Sequence, residues 1–174
     1  MDSEEGVGGE ALVLTYCTKR KRGSPGRASE VYAGPVRNLF VLAERLGARC
    51  FVLSAKYALI ECDARVEPYE LYLGELGPEE RERLKRRVGE RCDELRGPWY
   101  LAVVNLSGRY SEVFPCRVEA RYAVVIGKVD VVSAEKALRL VPKTIGQRNS
   151  ALKALGRARS LEDVIRLIEE GTFH

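Results

Sequence analysis

The stretch "ALVLTYCTKRK" (Ala11–Lys21) sets the fold class of this chain. It opens with a nearly continuous apolar run, Ala11–Tyr16, which is typical of a strand buried on both faces of a sheet. Comparable runs recur along the chain at Cys50–Ser54, Trp99–Leu106 and Tyr122–Ile126. Helical patterns lie between these runs, and strands that alternate with helices indicate an α/β fold. We therefore predict a mainly parallel sheet of four strands, or slightly more, with flanking helices.

The segments between and after the strands carry helical signals. Apolar residues recur at helical spacing over 36–46, and Pro78 followed by two glutamates suits a helix N-terminus. A short helical turn is expected near Tyr110–Phe114. The last part of the chain has no strand pattern, and its helices are predicted at Ser133–Val141, Arg148–Leu155 and Leu161–Glu169. The chain thus divides into a flexible tail (1–10), an α/β domain (11–130) and a helical part (131–174) packed on the same unit.

The composition is typical of a globular protein, and we expect neither a metal nor a cofactor. The chain has 174 residues, 45% of them hydrophobic and 31% charged, with no apolar run of membrane-spanning length. The acidic, Gly-rich N-terminus lacks the features of a signal peptide, which favours a cytoplasmic protein. Five cysteines without CxxC spacing and a single histidine, His174, argue against a zinc site. Abundant Arg and Glu lean towards a thermophile, in which cytosolic disulfides occur.

The net charge of +4 is unevenly distributed. Lys and Arg outnumber Asp and Glu between Cys17 and Arg37, and again between Arg117 and Arg159. The helix that starts at Pro78 is balanced in charge and is interpreted as a solvated surface helix. Two basic regions favour an anionic partner, with a merely basic surface as the alternative. We expect nucleic acid as the partner, expect no membrane, and leave the oligomeric state open.

Polar side chains follow every predicted strand, at the sheet edge where α/β proteins bind ligands. These strand ends offer hydroxyls, amides and cations but no carboxylate, which suits a phosphate. The ligand candidates are Thr18, Lys19, Lys21, Ser54, Lys56, Tyr57, Tyr69, Asn105 and Arg109. Pro68 forces Glu67 out of helical geometry, and if this loop folds over the strand ends, Glu67 is the candidate catalytic acid or base. Asp63 is a second candidate, and pairing of Glu67 with a nearby Arg is the alternative. Cys17 is interpreted as a packing residue, since no base is available to activate its thiol.

Three linked segments carry a resemblance to a known family: "YCTKRK" (Tyr16–Lys21), "LSAKYALI" (Leu53–Ile60) and "EPYELYL" (Glu67–Leu73). They resemble a family of uncharacterised α/β domains that is similar to the YaaA peroxide-stress protein superfamily. More distantly, they resemble the uracil-DNA-glycosylase-like domain of archaeosine synthase. The resemblance covers roughly residues 11–128 and implies nucleic-acid binding or base modification. Ala58 stands where the family has glycine, so the turn there lacks glycine's freedom at positive φ.

The segment Val141–Ile165 resembles a helix-hairpin-helix, in which backbone N–H groups of a hairpin contact a DNA phosphate. Gly146 fits the hairpin glycine. Lys143 and Arg148 flank it, so these three residues are the candidate contacts to a nucleic-acid backbone. A pair of ordinary amphipathic helices that complete the core is the alternative.

Three functions stay open at this level. The first is a nucleic-acid-associated enzyme, of glycosidase or transferase type, that acts on a base or its N-glycosidic bond with the nucleotide held at the strand ends. The second is a non-catalytic module that binds nucleic acid or nucleotides. The third is an enzyme that acts on a small phosphorylated metabolite.

Overall fold

A computed structural model describes residues 10–17, 25–67 and 71–174 of the chain. Within these residues the strands are β1 (Ala11–Tyr16), β2 (Gly26–Arg27), β3 (Arg49–Ser54), β4 (Ala58–Glu61), β5 (Arg65–Val66), β6 (Trp99–Asn105), β7 (Val118–Ile126) and β8 (Val132–Leu140). The helices are α1 (Ala28–Val31), α2 (Arg37–Leu46), α3 (Pro78–Gly89), α4 (Gly108–Glu112), α5 (Ile145–Arg157) and α6 (Leu161–Glu170). Short 3-10 turns lie at Leu73–Glu75 and Cys92–Glu94.

The main sheet has six strands in the order β4-β3-β1-β6-β7-β8. Every neighbouring pair is parallel except β3 with β4, which is antiparallel. The predicted α/β fold with a mainly parallel sheet is therefore confirmed, and β4 and β8 extend it at its two edges. β1 lies in the interior, where Leu12, Val13 and Leu14 are fully buried because packed side chains cover both faces.

The helix predicted over Ser133–Val141 is wrong, because this segment forms the edge strand β8. Its Ala, Glu and Lys residues favour helices, but pairing with β7 buries Val132 and Leu138 and overrides that preference. The helix-hairpin-helix prediction is wrong for the same reason. The element before Gly146 is a strand, and Gly146 itself lies in the first turn of α5.

The turn between β3 and β4 keeps the left-handed conformation that glycine favours. Ala58 has a φ of 63°, although it carries a side chain. Ser54 stabilises the turn, since its Oγ accepts hydrogen bonds from the backbone N–H groups of Lys56 and Tyr57, each at 3.1 Å. Ala58 therefore holds a backbone conformation that costs an L-residue about 1–2 kcal/mol.

Two disulfides form, a pairing that the cysteine spacing alone left open. Cys50–Cys62 links β3 to the turn after β4, and Cys92–Cys116 links a 3-10 turn to the segment before β7. Cys17 is a buried free thiol. Within 10–17, 25–67 and 71–174, no three His, Cys, Asp or Glu residues cluster as metal ligands would. In the same ranges, no helix has the length and apolar character needed to cross a membrane.

Candidate functional site

The order of the sheet reverses direction between β1 and β6. From β1 the chain proceeds to β3 on one side, and β6 then returns to pair with β1 on its other side. In open α/β sheets, such a switch point opens a crevice outside the carboxyl ends of the strands, and ligands bind there. The sequence places polar residues after every predicted strand. The sheet order indicates that those after β1 and β6 lie at the switch point.

A cleft of about 590 Å³ opens at this switch point. Its walls come from the end of β1, the 3-10 turn Leu73–Glu75, the start of α4 with the residue before it, and the first residue of α5. The volume lies within the range of roughly 300–1,000 Å³ that is typical of small-molecule sites. The described residues that line it are Tyr16, Cys17, Tyr72, Leu73, Gly74, Glu75, Ser107, Arg109, Tyr110 and Ile145.

A buried thiol and a buried phenol meet in this lining. Cys17 Sγ lies 2.8 Å from the Tyr110 hydroxyl, and the Tyr110 ring packs against Tyr16 with centroids 5.2 Å apart. Burial raises the pKa of Tyr110, and the adjacent Cys17 adds to the shift. Tyr110 is therefore a neutral hydrogen-bonding group at physiological pH. The packing interpretation of Cys17 agrees with its 6% exposure.

Asn105 and Arg148 form a polar network behind Tyr16. Asn105 is buried, its Nδ2 donates to Thr15 Oγ1 at 2.9 Å, and its Oδ1 accepts from the Arg148 guanidinium. Arg148 also donates to the Leu106 carbonyl at 3.4 Å, and its Cζ lies 5.7 Å from the Tyr16 ring centroid. Burial lowers the pKa of Arg148. Both residues were expected to contact ligand or nucleic acid, and here they join β1, β6 and α5 internally.

The residues predicted after β3 do not line the cleft. Ser54 is fully buried and holds its own turn, with the Tyr32 hydroxyl 3.5 Å away. Lys56 is exposed, with its Nζ 5.4 Å from the Tyr57 ring centroid. The Tyr57 hydroxyl accepts a hydrogen bond from the backbone N–H of Glu67 at 3.1 Å. This group is therefore a separate cluster around the turn after β3.

The predicted acid, Glu67, is exposed and is not part of the cleft lining. Glu75 is the carboxylate in the described lining, and its Oε1 accepts the backbone N–H of Tyr72 at 3.1 Å. Lys143 and Gly146 are exposed at the start of α5. Four further candidates lie outside the described residues, as does most of the predicted tail: Thr18, Lys19, Lys21 and Tyr69.

Of the predicted ligand residues that the structure describes, Arg109 is the one that lines the cleft. Its exposed guanidinium rests against Gly74, so closely that a Cβ at residue 74 would collide with it. Arg109 has no ion-pair or hydrogen-bond partner among the residues that the structure describes. The cleft thus presents, beside aromatic rings, a cation that no described residue pairs with.

Sequence reasoning missed several residues of the lining. Tyr16 and Tyr72 lie inside the quoted segments "YCTKRK" and "EPYELYL", so their positions in these segments were a usable signal. Ile145 is 71% exposed at the mouth of the cleft. It carried no signal, because an isolated isoleucine near a helix start reads as core.

The comparisons with known proteins identify a family. A family model described as "Family of unknown function (DUF6884)" matches residues 12–152, from β1 to within α5. Comparisons with curated proteins and with solved structures gave no significant match. The matched residues include all the described lining of the cleft. Because the match covers most of the 174 residues, the chain belongs to the DUF6884 family.

Proposed function

We propose that this chain is a nucleic-acid-associated protein that holds one nucleotide in the cleft between β1 and β6. The observation that carries the proposal is the Arg109 guanidinium, which pairs with no described residue and lies on a tyrosine-lined cleft at the switch point. Arginine binds phosphate oxygens through two parallel hydrogen bonds, and tyrosine rings stack on bases. A cleft with both features fits the two chemically distinct ends of a nucleotide.

The charge distribution supports a polymer rather than a free nucleotide. The chain carries a net charge of +4, with basic residues concentrated in two regions. Such regions attract a polyanion from a distance and add contacts beyond a single nucleotide. The resemblance to the YaaA superfamily and to the uracil-DNA-glycosylase-like domain supports the same partner.

Binding to a fluorescently labelled single-stranded oligonucleotide, followed by anisotropy at increasing salt, tests the proposal. We expect the logarithm of the binding constant to fall linearly with the logarithm of salt concentration, with about 0.7 units of slope per phosphate neutralised. Arg109→Gln should weaken binding. The matched control is Arg83→Gln, which removes an exposed arginine on the charge-balanced helix α3. Absent or salt-insensitive binding contradicts the proposal and favours a small phosphorylated metabolite.

Chemistry on the base or its N-glycosidic bond is the second candidate, and one observation favours it. Glu75 puts a carboxylate on the cleft, so an acid or base is available beside the ligand. Release of free base from damaged or modified oligonucleotides should be lost in Glu75→Gln and kept in Glu67→Gln. The absence of release from every substrate tested leaves the non-catalytic binding module as the function.

A further inference from the structure

Gly74 occupies a position where a side chain would cause a steric clash, whereas its backbone conformation is open to any residue. It lies in the 3-10 turn Leu73–Glu75, and its φ is outside the left-handed region. An added Cβ would collide with Nη1 of Arg109. The obstacle is the far end of a flexible side chain, so an alanine at residue 74 would move the guanidinium and leave the turn folded.

Contact with Gly74 restricts the space open to the Arg109 guanidinium, although the side chain is exposed. Arginine normally loses side-chain conformational entropy when it binds an anion, and a side chain whose space is already restricted loses less of it. The planar fork of Arg109 therefore faces the cleft without an ion pair to Glu75, the carboxylate of the described lining, or to any other described residue.

Ser107 supplies a second donor to the same cleft. Its Oγ accepts the backbone N–H of Tyr110 at 3.4 Å, which leaves the hydroxyl proton free to donate. Ser107 and Arg109 follow β6, whereas Gly74 comes from the turn before α3. The two donors and their glycine seat thus come from separate parts of the chain and converge on the cleft lining.

We propose that Gly74, Arg109 and Ser107 form an oxyanion subsite that binds the phosphate group of the ligand, with the ligand's ring against the tyrosines. Arg109 and Ser107 bind the oxyanion, and Gly74 is a positioning residue that seats the guanidinium. That the phosphate belongs to a nucleotide rests on the proposed function. The subsite itself requires only a phosphate ester or phosphate ion.

Arginine modification by phenylglyoxal, read at each residue by peptide mass spectrometry, tests the subsite directly. The probe is inorganic phosphate, titrated at constant ionic strength with chloride. Arg109 should be protected at phosphate concentrations that leave exposed Arg83 fully reactive. In Gly74→Ala the midpoint of protection should rise about tenfold, the factor that one charge-assisted hydrogen bond supplies.

Gly108→Ala is the matched control, because a Cβ at residue 108 has nothing within 4 Å. It should protect Arg109 as the wild type does, and both glycine variants should keep the wild-type melting temperature. Equal protection of Arg109 in wild type and Gly74→Ala overturns the proposal. So does a wild type in which phosphate protects Arg109 no better than Arg83.

Thymidine 5′-monophosphate, thymidine and a single-stranded oligonucleotide then identify the source of the phosphate. Stronger protection by the monophosphate or the oligonucleotide than by phosphate, with none by thymidine, supports the subsite and its nucleotide ligand together. Protection by phosphate without any gain from nucleotides supports the subsite and contradicts the proposed function. The two failures are therefore distinguishable.

Discussion

The Cys17 thiol lies 2.8 Å from the Tyr110 hydroxyl, although 93 residues separate the two positions. Cys17 directly follows β1, and Tyr110 belongs to α4, which follows β6. The contact therefore joins the ends of the two strands between which the sheet changes direction. Both residues also line the cleft, so the contact links two parts of the cleft wall.

Tyr110→Phe should destabilise the protein without removing the ring packed on Tyr16. The variant leaves the buried Cys17 thiol without the hydroxyl that it contacts. Loss of one buried partner costs about 1–3 kcal/mol, and urea denaturation measures it. Tyr100→Phe, which alters an exposed tyrosine, should change the free energy of unfolding by less than about 0.5 kcal/mol. Equal effects in both variants would show that the buried contact has no stabilising role.

The same hydroxyl predicts how stability depends on alkaline pH. Burial raises the pKa of Tyr110 above the value of about 10 that it has in the unfolded chain. Above pH 10 the unfolded state releases the Tyr110 proton while the folded state keeps it, so stability falls as the pH rises. Below pH 10 this contribution is fully present.

Tyr110→Phe removes this loss and leaves every other tyrosine in place. The difference in free energy of unfolding between wild type and Tyr110→Phe should therefore narrow as the pH rises from 9 to 11, by up to about 1.4 kcal/mol per pH unit above 10. Urea denaturation at fixed pH values measures the difference. A gap that stays constant over this range contradicts the raised pKa.

Arg148→Met should lower the free energy of unfolding and disturb the cleft wall at Tyr16. The variant leaves the buried Asn105 side chain without the guanidinium and removes the cation beside Tyr16. We expect a loss of about 2–3 kcal/mol, since a charge-assisted hydrogen bond to a buried group disappears. Lys153→Met, on an exposed position of the same helix, is the control. Because Arg148 bonds to Asn105 and Leu106, its role is structural. Loss of nucleic-acid affinity at unchanged stability would contradict that role.

The sequence identified strands that are covered on both faces and missed the two edge strands of the main sheet, β4 and β8. β1, β3, β6 and β7 read as continuous apolar runs because both faces are packed, and all four were predicted. β8 pairs along one side only, and its exposed Glu135 and Lys136 made it read as a helix. Polar residues at strand ends could be found from the sequence, since their position depends only on where a strand stops.

The composition of the cleft could not be predicted in the same way. Gly74 lies in a 3-10 turn and Arg109 in α4, and the two are in contact. No sequence pattern within either segment indicates this contact. Ser54 and Asn105 are polar residues at the ends of β3 and β6, as a ligand site would require. Both are buried, and their side chains make hydrogen bonds within the protein. Which strand ends face a common space depends on the order of the sheet, and chain order does not specify it.

Gly127→Ala should disturb the sheet edge that carries the cleft. Gly127 follows β7 with a φ of 115°, and a Cβ there would collide with the Leu106 carbonyl. That carbonyl also accepts from Arg148, and the Gly127 N–H donates to Leu140 at 2.8 Å. An alanine therefore strains its own backbone and pushes apart the ends of β6, β7 and β8.

We expect Gly127→Ala to lower the free energy of unfolding by at least about 2 kcal/mol, from the left-handed conformation and the clash together. Gly108→Ala, at an open position on α4, should stay within about 0.5 kcal/mol of wild type. Because Leu106 leads into Ser107 and Arg109, the strained variant should also bind the single-stranded oligonucleotide more weakly. Urea denaturation and anisotropy on the same samples measure both effects. A free energy of unfolding equal to that of the wild type in Gly127→Ala would contradict the prediction. It would show that the ends of β6 and β7 can move apart without cost.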